Sequence, residues 1–205
     1  MSASERAYRH VKDQILDGSL PGGELISEGE IAEALEMSRT PVRAAFGQLE
    51  AEGLLRLYPK RGALVVPVSA GEVEAVMETR ALVERYAVAK TMARGVEVTG
   101  AMRAQIARQQ TADGDLDAFV EADRAFHTVF VSAAGNPIVL ALYDSLRDRQ
   151  QRMGVTALRR EPRRLGEILD EHRGLVEAID AGDVEDVLAL LDAHLHGTLV
   201  LLRSG

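Results

Sequence analysis

Apolar residues recur along most of the chain at three- and four-residue intervals, the spacing of one helix face. Ala7, Tyr8, Val11, Ile15 and Leu16 do so between Glu5 and Asp17, and the stretch from Gly18 to Gly23 ends the pattern. Ser27-Glu28-Gly29-Glu30 then has the form of a capping box ahead of Ile31 to Leu35. A few residues later Thr40-Pro41 suits a helix opening, a hydroxyl at the N-cap and a proline at the first helical position. Val42, Ala45, Phe46 and Leu49 make the inward stripe, and Gly53 supplies a left-handed stop. From Leu54 to Tyr58 the pattern changes to alternation, Pro59 to Gly62 turns, and Ala63 to Val66 returns. Helix, short break, helix and hairpin follow one another as in a winged helix-turn-helix.

Pro67-Val68-Ser69 marks a boundary, and Ser69-Ala70-Gly71-Glu72 repeats the capping-box form. Beyond it no stretch alternates. Helical patterns run over about 70–93, 100–113, 115–134, 137–155, 162–181 and 183–202, broken at Arg94-Gly95, Asp113-Gly114, Gly135-Asn136-Pro137, from Gly154 through Pro162, and at Gly182-Asp183. The fold expected is mostly α: a winged helix-turn-helix over residues 1–67 and an all-α bundle of about six helices over residues 68–205, large enough to bury its own core.

Composition narrows the chemistry. Zero cysteines exclude disulfides and thiolate metal sites, so any metal needs nitrogen and oxygen ligands. The charged, helical N-terminus is unlike a signal peptide, and no apolar run approaches a membrane span, which predicts a cytoplasmic chain. The net charge of −8 works against long-range attraction to phosphate. Residues 37–61 reverse it locally, with five basic side chains against two acidic ones. Arg39 and Arg43 stand at the start of the second helix, and Lys60 and Arg61 at the hairpin turn. Arg9 and Lys12, on the first helix, are either phosphate contacts or solvated charges.

Charge also falls on the inward stripes of the bundle. Asp123 and His127, four residues apart, share a helix face with Leu116, Phe119, Val120, Phe126, Phe130 and Val131. His172 lies among Leu165, Ile168, Leu169, Leu175, Val176 and Ile179, and His194 beside Val187, Leu190, Leu191 and Thr198. One carboxylate and three imidazoles from three helices suit a divalent transition metal with coordination positions left open. An Asp–His hydrogen-bond network is the competing account, since an unpaired carboxylate is costly in a core. Arg80 shares the inward side of the first bundle helix with Val76, Met77 and Val83. It either clamps a ligand carboxylate or forms a helix-surface pair with Glu84. Asn136 is a further ligand candidate, although Gly-Asn-Pro is a helix break in its own right.

Two resemblances follow. The segment ISEGEIAEALEMSRTPVRAAFGQLEAEGLLRLYPKRGALV resembles the winged helix of GntR-family bacterial transcription regulators. That implies a dimer on a near-palindromic operator, with Arg39, Thr40 and Arg43 at the recognition helix and the wing tip Arg61-Gly62 in the minor groove. Gly29 stands where the family often has an arginine. The D-x-x-F-H…A-G-N-P run from Asp123 to Pro137, with Glu171-His172 and His194-Leu195, resembles the FCD effector domain of the FadR-like branch. In its metal-binding members the positions matching Asp123, His127, His172 and His194 hold Zn, Ni or Mn, and a small carboxylate binds beside the ion. His10 and His196 match nothing there and are expected at the surface.

The function expected is a homodimeric, ligand-responsive transcription regulator, a repressor as most of its family are. It would bind double-stranded operator DNA and sense a small organic acid through a bound metal. Two alternatives stand beside it: a repressor whose signal is the metal itself, and a metal-dependent hydrolase or lyase on the bundle. Against an enzyme, the chain has no serine nucleophile elbow, no His-Glu-x-x-His and no phosphate-binding glycine loop.

Overall fold

The computed structural model describes residues 1–59 and 61–203. It divides into two compact units, Met1–Ser69 and Ala70–Gly205.

The first unit runs α1 (Ala3–Leu16), β1 (Leu25–Ile26), α2 (Glu28–Ala34), α3 (Arg39–Ala51), β2 (Leu55–Tyr58) and β3 (Gly62–Val65). The capping box of α2 is formed: Glu30 N–H donates to Ser27 Oγ at 3.1 Å, and Ser27 N–H donates to the Glu30 carboxylate at 3.2 Å. α3 opens earlier than Thr40-Pro41 suggests, with Ser38 as its N-cap and no side-chain cap bond. Pro41 is tolerated there because first-turn N–H groups have no intrahelical partner. Val42, Ala45, Phe46 and Leu49 are completely buried. They pack with Ala7, Val11 and Ile15 of α1 in one core. Gly53, at φ +77°, turns the chain out of α3.

The wing has three strands where two are expected, in the antiparallel order β1-β3-β2. β1 is two residues long, too short for alternation to register. It explains Gly62, whose φ is +98° and where an added Cβ would stand 2.2 Å from the Ile26 carbonyl oxygen. Glycine is required there by the close backbone approach.

The second unit holds α4 (Ala70–Ala93), α5 (Thr99–Gln110), α6 (Leu116–Ala133), α7 (Pro137–Asp144), α8 (Arg147–Arg160), α9 (Arg164–Ala181) and α10 (Val184–Arg203). α6 packs against α4, α5, α7 and α8, while α9 and α10 close the bundle against α5 and α4 respectively. The helix expected over 137–155 is two helices, interrupted at Ser145 and Leu146, and α8 continues through Gly154 to Arg160. Gly154 serves packing here: an added Cβ would meet the Val120 side chain of α6 at 3.1 Å. No helix among the described residues is long and apolar enough to cross a membrane.

Candidate metal centre and DNA-reading surface

The bundle brings Asp123 and His127 of α6, His172 of α9 and His194 of α10 to one point. One ligand atom from each lies within 4.8 Å of the others. His194 Nε2 is 3.2 Å from His127 Nε2, and His172 Nε2 is 3.4 Å from Asp123 Oδ1. The three rings are buried; the Asp123 side chain keeps 20% of its surface. Phe126 stacks flat on His172, its ring centroid 3.9 Å away, which restricts that ring's rotation.

An outer layer bonds two of the rings, His172 and His194, at Nδ1 and faces His127 Nδ1 with a carboxylate, the arrangement that aims Nε2 inward. His172 Nδ1 faces Gln109 Oε1 at 2.9 Å, and the same amide reaches Asp123 Oδ1 through Nε2 at 3.5 Å. His194 Nδ1 lies 2.7 Å from Glu171 Oε2, whose carboxylate is also held by Arg164. His127 Nδ1 stands 2.8 Å from Glu84 Oε2, close but out of line for a full hydrogen bond. Glu84 Oε1 accepts from Arg80 Nε at 2.8 Å and from the Tyr143 hydroxyl at 3.0 Å.

Burial and charge set the protonation states. Burial alone would raise the Glu84 carboxyl, but Arg80 and His127 hold it well below the usual carboxylate range. Burial, with His194 and His127 alongside, pushes His172 well below the usual imidazole range. Burial lowers His194 as well, against the pull of Glu171. Tyr143 is pushed well up by burial and by the Glu84 carboxylate, so its hydroxyl remains a donor.

Arg80 is buried and does pair with Glu84, so it is no surface pair. Only Nε is engaged; the two terminal nitrogens make no hydrogen bond among the described residues. Arg80 and Asp123 line one cavity, whose wall includes Val76, Met77, Phe119 and Met153. Asn136 is not among the lining residues. It caps α7, accepting from Ile138 N–H at 3.1 Å and Val139 N–H at 3.4 Å, and donates to the Tyr86 hydroxyl. His196 is exposed and His10 half-buried. The outer layer of Glu84, Gln109 and Glu171 escaped the sequence reading. Glu84 carried a signal, standing seven residues from Met77 and three from Ala87 on the buried side of α4.

In the first unit Arg39, Thr40 and Arg61 are exposed, and Lys60 lies outside the described residues. Arg39 makes no hydrogen bond or ion pair among the described residues. Its guanidinium lies against Gly29, where an added Cβ would come within 3.3 Å of Nη2. The glycine that departs from the family pattern thus lies directly beside Arg39. Arg43 is gripped by Glu28, through Nε at 2.9 Å and Nη2 at 2.9 Å. Lys12 is turned inward to the Tyr8 hydroxyl and Glu52, and Arg9 pairs with Glu5. Gly62 is a backbone requirement of the wing.

Comparison with known proteins agrees with both halves. Residues 3–65 match the model of bacterial regulatory proteins of the gntR family, and residues 75–197 match the FCD domain. The chain is 29% identical over 192 residues to an HTH-type transcriptional regulator in an unstable DNA locus of Streptomyces ambofaciens, covering 92% of this chain and 80% of that one. It is 31% identical to a probable D-xylose utilization operon transcriptional repressor of Paenarthrobacter nicotinovorans, over 84% of this chain and 76% of that one. The crystal structure of a GntR regulator from Rhodococcus sp. RHA1 shares the fold, with a TM-score of 0.79 at 22% identity over 100% of this chain and 99% of that one. The matched relatives are regulators and not enzymes. The chain belongs to the GntR family of DNA-binding transcription regulators, in the FadR-like branch that carries an FCD domain.

Proposed function

We propose that the chain is a cytoplasmic, homodimeric repressor whose grip on operator DNA is set by a small organic acid bound beside a divalent metal. Zinc, nickel and manganese all suit three imidazoles and a carboxylate. The observation that carries the proposal is the pair of facing nitrogens. His194 Nδ1 bonds the Glu171 carboxylate and His127 Nδ1 faces Glu84 Oε2, an arrangement that favours the hydrogen on Nδ1 and the lone pair on Nε2 of both rings. Two such lone pairs 3.2 Å apart repel. A cation between them relieves that repulsion, and burial disfavours an extra proton on His194. Nitrogens about 2.1 Å from one ion stand about 3 Å apart at right angles, which suits this spacing.

A bound cation would supply a Lewis-acidic position for a carboxylate oxygen. The chain supplies the rest. Gln109, Glu171 and Glu84 orient the three rings, and Arg80 offers its terminal nitrogens to the acid's second oxygen. For the acid to change DNA binding it must favour one arrangement of the two readers, since a ligand indifferent to both states shifts nothing.

At the reader, Arg39 and Thr40 stand at the start of α3, the part of a recognition helix that enters the major groove. Arg39→Ala should cost about 1–3 kcal/mol of specific binding, read by gel shift on the promoter of its own operon. Unchanged binding by the Arg39→Ala/Arg43→Ala double variant would remove the DNA-reading role from this helix start.

Dimerisation has a surface to use. Leu82 and Tyr86 lie one turn apart on α4, and Ile138 and Leu142 one turn apart on α7; all four are exposed apolar residues on two packed helices. A second copy would cover them and bring two readers to one operator. The Leu82→Glu/Ile138→Glu variant should be monomeric by light scattering at micromolar concentration and bind operator far more weakly. A dimer in that variant would move the interface elsewhere.

A further inference from the structure

The cavity beside the histidine group has a chemical character of its own. It lies against Arg80 and Asp123 and is open to solvent on one side. Most of its wall is apolar, Val76, Met77, Phe119, Val120, Met153 and Leu158 among it. The polar groups on that wall are Arg80, Asp123, Arg124, Gln150 and Thr198, and Arg80 keeps its terminal nitrogens for the acid's carboxylate. Asp123 belongs to the candidate metal centre. Thr198 donates its hydroxyl hydrogen to the His194 carbonyl at 3.1 Å. Arg124 pairs through Nη2 with Asp144, and its buried Nε is unpaired. Gln150 differs from all of these. It is 91% buried, it lines the cavity, and both Oε1 and Nε2 lack any hydrogen-bond partner. Among the described lining residues it alone leaves both a donor and an acceptor unmatched, and a buried amide in that condition is costly until something pairs with it.

We infer that the effector is a monocarboxylic acid with a short, largely apolar body bearing one carbonyl or hydroxyl oxygen that Gln150 reads, and that polyhydroxylated sugar acids are rejected. The inference rests on the acid-sensing role proposed above and names the acid's class. A sugar acid would bury a row of hydroxyls against aliphatic and aromatic wall, each losing water without a replacement partner. An apolar body loses nothing polar on entry, and a single oxygen opposite Gln150 satisfies an amide otherwise stranded. Sites built to pair with a ligand oxygen discriminate strongly against analogues that lack it.

The test is calorimetric titration of the full-length chain with nickel present, using acetate, hexanoate, the mono-oxo and monohydroxy isomers of hexanoate, and gluconate. Hexanoate should bind at least about tenfold tighter than gluconate, and at least one mono-oxygenated isomer tighter still. Gln150→Leu, nearly isosteric and free of the stranded amide, should keep its hexanoate affinity and lose the isomer's advantage, with an unlowered melting temperature. Gluconate binding as tightly as hexanoate, no isomer surpassing hexanoate, or an advantage that survives Gln150→Leu would each overturn the inference. Acetate binding while every six-carbon acid fails would overturn it and leave carboxylate sensing standing. If no acid binds at all, acetate included, both fall together.

Discussion

His172→Ala should lose the bound metal, and the loss should appear as insensitivity to chelator. In the wild type, chelator should lower the melting temperature of the helical unit by roughly 5–10 °C, the effect of removing a ligand held at about a hundred times its dissociation constant. The variant should melt at or below the chelator-treated wild type, because deleting the ring also leaves Gln109 Oε1 without its donor and Phe126 without its stacking partner. Its own curve should not move when chelator is added. The reader should survive, since α1, α2, α3 and the wing share a core with no residue of the bundle in it. Operator binding by gel shift should therefore persist while the response to acid disappears. A variant that still shifts with chelator would take His172 out of the ligand set.

Glu84→Ala should be the most destabilising single change at the site, by about 3–5 kcal/mol, because it strands a buried guanidinium. Arg80 and Glu84 are both buried, and Glu84 is the one side chain that Arg80 hydrogen-bonds among the described residues. The same change frees His127 on its Nδ1 side and the Tyr143 hydroxyl, so metal affinity should fall about 10–100-fold. Melting of the chelator-treated variant isolates the first effect, and metal titration at a temperature where the variant is folded isolates the second. Lower stability with undiminished metal affinity would make Glu84 a structural counter-ion only. The role proposed for it is larger: one carboxylate orients both the ring that faces the ion and the guanidinium that faces the acid.

The inner layer was legible in the sequence because helical periodicity is sufficient to find it. Asp123 and His127 share a stripe by their spacing of four, and His172 and His194 sit in the middle of apolar stripes, so their inward direction follows from register alone. The outer layer was not legible, because register says which way a side chain points and not which helix it meets. Gln109 closes on His172 only because α5 packs against both α6 and α9. Glu84 looked like the surface partner of Arg80 at four residues, and only the packing of α4 on α6 buries the pair. Gln150 sits in an Arg-rich stretch, RDRQQRMGVTALRR, where polarity suggests solvent.

In the fold, the recognition helix and its stripe were plain, while β1 was too short for any period to reveal. Gly154 misled because glycine breaks helices in water and serves close packing in a core. Between Tyr143 and Arg147 no proline or glycine marks the end of α7, so the division of the long helix had no local signal. Gly62 is the reverse case: turn chemistry put it at the wing tip, and the backbone of β1 explains why nothing larger fits.

The three imidazoles and Asp123 are proposed to hold an ion. Elemental analysis of the purified full-length wild type, run beside His172→Ala, tests it most directly. The wild type should hold about one zinc, nickel or manganese per chain and the variant close to none. A wild type free of transition metal, which stays free after exposure to all three ions, would contradict it and leave the cluster as a hydrogen-bonded core network.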